Sequence, residues 1–219
     1  MKVRVRGVLF DMDGVLISSI GSVERSWTLW AERHGIDVKE AIKAAHGRRA
    51  IETIRMLRPD LNDMEELKVL EDMEVADNDG VSALPGVTRI LAALPQDRWA
   101  VVTSATQRLA RSRMLHGGIP SPERMVTADQ VTQGKPDPEP YLAGAKHLGL
   151  KPEECLVIED AASGTKAGHA AGCKVLATLF SHSLESLSAA DWVVQSLEDV
   201  AVSVDGDAIT FTFEPVWSR

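Results

Sequence analysis

Residues 8–16 read Val8-Leu9-Phe10-Asp11-Met12-Asp13-Gly14-Val15-Leu16: an apolar run that stops at two carboxylates one residue apart, followed by glycine. A short apolar run bounded by turn residues suits a strand buried on both faces of a parallel sheet. Asp11 and Asp13 then fall at its carboxyl end, where open α/β sheets place their ligands. Residues two apart on a strand share a face, so the two acids crowd each other. Like charges that close are costly unless a cation or a proton relieves them. The pattern therefore points to a bound Mg²⁺, a raised carboxyl pKa, or both.

The 219 residues are enough for one sizeable domain, or one domain with an insert. A formal net charge of -8 argues against nucleic acid or an anionic membrane as the main partner, since both reward clustered Lys and Arg. A small anionic substrate needs only local positive groups and stays open. Cys155 and Cys173 each lie beside an apolar run and are expected as buried thiols. With no disulfide framework, a cytoplasmic location is expected. The segment Met1-Lys2-Val3-Arg4-Val5-Arg6 lacks the apolar centre of a signal peptide, and no apolar stretch approaches the ~20 residues of a membrane span.

Beyond Leu16 the pattern changes. Residues 18–80 read as helices without a convincing strand: Gly21 to Gly35, Asp37 to Ala45, Arg49 to Arg58 and Met64 to Asp77. Trp27 and Trp30, three apart, are expected to pack the interior of this block. From Leu84-Pro85-Gly86 onward strands (99–103, 125–127, 155–159, 174–178, 192–194) alternate with helices (86–94, 106–116, 138–148, 162–171). That alternation implies a parallel sheet covered on both faces. Val200 to Val204 and Ala208 to Phe213, around Asp205-Gly206-Asp207, read as an antiparallel hairpin. The expected fold is thus α/β, a Rossmann-like parallel-sheet core (residues 1–16 and 84–219) with an inserted all-helical cap domain (17–83). Both joints lie next to the acidic pair, so the cap can close over it.

Four segments stand at strand ends or in the loops after them: Asp11-Met12-Asp13-Gly14-Val15, Val102-Thr103-Ser104, Lys135-Pro136 and Ile158-Glu159-Asp160. Singly each is weak. In this order they resemble the four motifs of the haloacid dehalogenase superfamily, over nearly the whole chain. The resemblance implies that Asp11 is a nucleophile forming an aspartyl-phosphate, which splits one hard hydrolysis into two easier steps. It implies that Asp13 protonates the leaving oxygen and then deprotonates the attacking water, so Asp13 must hold a proton near neutrality. Thr103 is expected to donate its hydroxyl to the phosphate, Ser104 its backbone N–H, and Met12 to join them in holding substrate. Lys135 supplies fixed positive charge. Mg²⁺, a hard cation suited to oxygen ligands, is expected on Asp11, Asp160 and the carbonyl of Asp13, with Glu159 next to or within the set. Asp160 is also expected to cap the following helix.

The second aspartate favours phosphate esters over organic halides, because halide departs without a proton. The helix Gly21–Gly35 has no lysine for the Schiff base of the phosphonate-cleaving relatives. It carries Val23 where sugar-phosphate mutases of this superfamily usually carry histidine. Ser18-Ser19 stands where relatives often have Asp-Ser. His46-Gly47-Arg48-Arg49 and the run from Thr127 to Leu142 resemble the sugar and polyol phosphatases, a group that includes 2-deoxyglucose-6-phosphatases and glycerol-3-phosphatases. The match around Val23–Trp27, His46 and Ala83–Gly86 is nearest to bacterial sugar phosphatases. Glu24, His46, Arg48 and Arg49 are the cap residues expected to read a polyhydroxy substrate, with Tyr141, His116 and His147 given no role beyond packing or exposure. The expected function is hydrolysis of a small phosphorylated sugar or polyol by a monomer. The rivals are a mutase of the β-phosphoglucomutase type and a non-catalytic phosphometabolite-binding protein.

Overall fold

The computed structural model describes residues 1–120 and 122–219. Strands β1 (Lys2–Val5) and β2 (Gly7–Phe10) are followed by the two-residue β3 (Ile17–Ser18). Four helices come next: α1 (Ile20–His34), α2 (Val38–Ala45), α3 (Ala50–Leu57) and α4 (Asp63–Ala76). Then follow β4 (Ser82–Ala83), α5 (Val87–Ala93), β5 (Trp99–Val102), α6 (Gln107–His116), β6 (Met125–Val126), α7 (Glu139–His147), β7 (Cys155–Glu159), α8 (Ala162–Ala170), β8 (Lys174–Thr178) and β9 (Trp192–Val194). The chain closes with β10 (Ala201–Asp205), β11 (Ala208–Thr212) and β12 (Trp217–Ser218).

The main sheet has the order β12-β9-β8-β7-β2-β5-β6. All its pairs are parallel except β12 with β9. β2 lies at its centre, pairing Phe10 with both Val101 and Ile158. All four of its residues are buried, which is why it reads as a continuous apolar run rather than an alternation. Leu9 points to the side covered by α7 and α8, Phe10 to the side covered by α5 and α6. Asp11, Thr103 and Asp160 each follow a strand of this central trio by one residue or less, so the sheet brings three motifs to one edge.

The β10–β11 hairpin is present, and it recruits β1 into a separate three-stranded antiparallel sheet of order β1-β11-β10. In β1, Val3 and Val5 are buried between exposed Lys2 and Arg4, the period of a half-buried strand. Reading the first six residues for a signal sequence alone passes over that alternation. The other elements not foreseen, β3, β4 and β12, are two residues each and set by tertiary pairing.

The four helices α1–α4 enclose their own apolar cluster of Trp27, Trp30, Ala31, Ala41, Ile54 and Leu70. The rings of Trp27 and Trp30 meet edge to face, 5.4 Å between centroids, and the Trp30 indole N–H donates to Glu66 Oε2 at 2.9 Å. Helix α1 ends at Gly35, whose φ of 66° lets its N–H turn back to the carbonyls of Ala31 and Glu32. Asp37 and Asn62 cap α2 and α4 through their side chains. This helical insert leaves and rejoins the sheet through one antiparallel ribbon, Ile17 facing Ala83 and Ser18 facing Ser82.

Candidate active site

At the carboxyl edge of the sheet the buried ammonium of Lys135 donates to Asp11 Oδ1 at 2.7 Å, Glu159 Oε1 at 2.7 Å and the Val102 carbonyl at 3.0 Å. Glu159 has no exposure at all. Its Oε2 accepts the backbone N–H groups of Asp160 (3.0 Å) and Ala161 (3.1 Å). Its Oε1 also takes the Tyr141 hydroxyl at 2.7 Å. Tyr141 further lays its ring 5.0 Å below the Lys135 ammonium. A fully buried tyrosine needs a partner for its hydroxyl, and that rule, applied to the first turn of the helix after Lys135, is the signal that sequence reading left unused.

One carboxylate oxygen each from Asp11, Glu159 and Asp160 lies within 4.8 Å of the others, all three residues buried. Three acids face a single ammonium, leaving two negative charges without a partner. Burial, reinforced by Glu159 and Asp13 against the opposing pull of Lys135, lifts the Asp11 carboxyl to about 7. Burial, then Glu159 and Asp11, push Asp160 well above the carboxylate range. Burial alone would lower Lys135, but Asp11 and Glu159 outweigh it and hold the ammonium charged. Crowded hard oxygens with an excess of two charges fit a divalent cation such as Mg²⁺. The surrounding backbone is shaped to this crowding. A Cβ on Gly14, whose φ is 84°, would stand 1.9 Å from Asp160 Oδ2, and one on Gly164 would stand 1.6 Å from Glu159 Oε1.

Asp160 does not cap the next helix. The N-cap of α8 is Ala161, with no side-chain hydrogen bond, and the Asp160 carboxylate accepts the Ser181 hydroxyl instead. Asp13 also has both oxygens engaged: Ser19 Oγ donates to Oδ1 at 2.6 Å and Arg113 to Oδ2 at 2.7 Å. The Asp13 side chain thus stands apart from the three-acid cluster. Thr103 is buried with its Oγ1 accepting the Ala105 N–H at 3.1 Å. The Met12 side chain is fully buried, so any substrate contact falls to its backbone.

These groups open into a cavity of about 380 Å³ between the sheet and the helical insert. Asp11, Asp13, Thr103, Ser104, Lys135, Glu159 and Asp160 line it from the sheet side. From the insert come His46, Arg48 and Arg49, with Val23 and Trp27. Glu24 is exposed and is not part of that lining; its neighbour Val23 takes the inward place on α1. Arg49 reaches the cavity, but its guanidinium is already occupied. It pairs with Glu52 and donates to the carbonyls of Val131 (3.1 Å), Thr132 (3.0 Å) and Ala128 (3.5 Å). Those carbonyls belong to the core, so Arg49 ties the insert to the sheet. Arg113 and Glu74, buried in the wall, were not foreseen. Arg113 sits in the Leu109-Ala110-Arg113-Met114 stripe that α6 buries, and an arginine inside such a stripe is a legible oddity.

The sequence profile of the haloacid dehalogenase-like hydrolases matches residues 5–172. The chain belongs to that family. Among haloacid dehalogenase-like hydrolases it is similar to hexitol phosphatase A of Escherichia coli (strain K12), 41% identical over 213 residues that cover 94% of this chain and 99% of that protein. It is also similar to glycerol-1-phosphate phosphohydrolase 2 of Saccharomyces cerevisiae, 33% identical with 98% and 92% covered. Among solved structures, a hydrolase from Pseudomonas syringae superposes with a TM-score of 0.75 at 25% identity, covering 88% of this chain and 94% of that one. The α/β core of this family is the one built here.

Proposed function

We propose that the protein is a Mg²⁺-dependent phosphatase that hydrolyses small sugar or polyol monophosphates through a phosphoenzyme on Asp11. The observation that carries this reading is the placement of Asp11: a buried carboxylate at the head of the cavity between the sheet and the insert, held by Lys135 among acids that leave room for cationic charge. Similarity to phosphatases of hexitol and glycerol phosphates supports the substrate class.

Lys135, the Thr103 hydroxyl and backbone N–H groups near Met12 and Ser104 hold the phosphate. Asp11 attacks phosphorus, and the bond to the leaving oxygen breaks as Asp13 gives that oxygen a proton. Water then attacks the aspartyl-phosphate, Asp13 takes a proton from it, and inorganic phosphate and free Asp11 result. Asp11, Asp160 and the Asp13 carbonyl would hold Mg²⁺, with Glu159 beside or within the set. When bound, the cation offsets the repulsion between the phosphate and the attacking carboxylate. The helical insert, read as a cap over residues 17–83, excludes water during the first step. His46 and Arg48 are the insert residues left to contact the sugar. A single chain acting in the cytoplasm on a free metabolite completes the reading.

The test is a panel of hexose, hexitol and glycerol monophosphates assayed for inorganic phosphate, with and without chelator. Release that stops in chelator and returns with Mg²⁺ is expected. An isomeric sugar phosphate formed without phosphate release would make the enzyme a mutase, and silence across the panel would remove the substrate class.

A further inference from the structure

The contact between Asp13 and Arg113 joins the proton-transfer group to a residue 100 positions away on α6. Arg113 is 4% exposed, and its partner is the carboxylate that the reading above makes acid and base. On its other side Arg113 Nη2 lies 3.4 Å from Glu74 Oε1. Glu74 is itself buried and belongs to α4 of the insert. The guanidinium therefore stands between a carboxylate of the sheet edge and one of the helical insert. Among the described residues, Arg113 Nε and Nη2 have no hydrogen-bond partner. The Asp13 contact is thus the one well-formed bond that fixes the group.

We propose that Arg113 is a positioning residue: its guanidinium, steadied by Glu74, holds the Asp13 carboxyl at the angle from which it serves the leaving oxygen. The proposal rests on Asp13 being the proton donor. Ser19 alone cannot set that angle, because a single hydroxyl on Oδ1 leaves the carboxyl free to turn about its χ2 axis. A second contact, from Arg113 Nη1 to Oδ2 at 2.7 Å, removes that freedom whichever protonation state Asp13 is in. In the first step the Asp13 O–H bond breaks, its proton goes to the alkoxy oxygen, and that oxygen keeps the electron pair of the broken P–O bond. An alkoxide needs that proton, whereas a dinitrophenolate leaves without it. Loss of positioning therefore acts on alkyl phosphates and spares activated aryl phosphates.

The experiment measures kcat/KM, which reports the first step, for glycerol phosphate or the best sugar phosphate and for 2,4-dinitrophenyl phosphate in the same preparation. The ratio of the two is independent of how much of a variant is folded. Arg113→Gln is expected to lower the alkyl value by ~10²-fold, the scale of a misplaced reacting group, and the aryl value by no more than about fivefold. Arg113→Lys restores part of the ratio. In Asp13→Asn the same ratio falls, and adding Arg113→Gln to it changes the ratio little, because the two residues act as one unit. Equal losses on both substrates in Arg113→Gln, or an unchanged alkyl rate, would overturn the proposal. If Asp13→Asn itself leaves the ratio unchanged, the fault lies with Asp13 as proton donor.

Discussion

Glu159 and Lys135 meet at 2.7 Å with 0% and 3% of their side chains exposed. Burying two opposite charges is stabilising only when their remaining valences are satisfied. Here Tyr141 and two backbone N–H groups do that for Glu159, while Asp11 and Val102 do it for Lys135. Tyr141→Phe removes one neutral donor and is expected to lower stability by about 1 kcal/mol. Glu159→Gln leaves Lys135 its bond to Asp11 but turns the charge-assisted bonds from Lys135, Tyr141 and two backbone N–H groups into neutral ones, and is expected to cost about 2 kcal/mol. Urea unfolding of the two variants beside the parent checks both, and a larger loss for Tyr141→Phe would reverse the assignment.

Asp11→Asn keeps the shape of the side chain and leaves Lys135 its bond to Glu159. The fold is therefore expected to persist, while turnover drops below about 1% of the parent. Circular dichroism measures the first and phosphate release the second. Residual activity above that level would remove the nucleophile.

Arg49 holds core carbonyls rather than presenting a free guanidinium to substrate. Arg49→Ala is accordingly expected to raise KM for every substrate by a common factor of ~10 without reordering them, as loss of uniform binding does. A changed ranking across the metabolite panel would instead make Arg49 a reader of the sugar.

Burial lifts the Glu74 carboxyl to about 7 from its ordinary 4.5, against the pull of Arg113. The folded state then holds this proton more tightly than the unfolded chain. Stability contributed at this position falls as pH rises from about 4.5 to about 7 and stays low above it. Glu74→Gln lacks that dependence. Its stability relative to the parent is expected to improve by about 3 kcal/mol between pH 4.5 and pH 8. Thermal unfolding across that range measures the difference, and comparison with the parent cancels the same-signed effects of Asp11 and Asp160. A constant difference would mean that Glu74 is already ionised in the acid range.

The buried strand ending at Asp11, the alternating elements from Gly86 onward and the four helices of the insert were legible because each carries a period that burial imposes. Asp11 was legible because a parallel strand delivers its next residue to the ligand edge. Thr103, Lys135 and Asp160 were legible only through the resemblance of their ordered motifs to the haloacid dehalogenase superfamily, and all four line one cavity. Other features were not, and the reasons are geometric. Whether Arg49 faces substrate or the Val131 carbonyl depends on a contact 82 residues away, which no local pattern encodes. Arg113 opposite Asp13 depends on the meeting of α6 with the loop after β2. Glu24 and Val23 differ by one helical step, about 100° of rotation, and only packing decides which of them turns inward.

The ribbon of Ile17 with Ala83 and Ser18 with Ser82 gives the insert a single narrow doorway. Its two ends stand one strand spacing apart, ~4.8 Å, so a replacement segment must begin and finish at that gap. Drift in the intervening sixty-odd positions, Ser19 and Glu74 aside, can reshape the insert's side of the cavity while Asp11, Lys135 and Asp160 stay where the sheet puts them. Deletions, expansions or grafted helices at this doorway are where new selectivities in such a lineage would arise first.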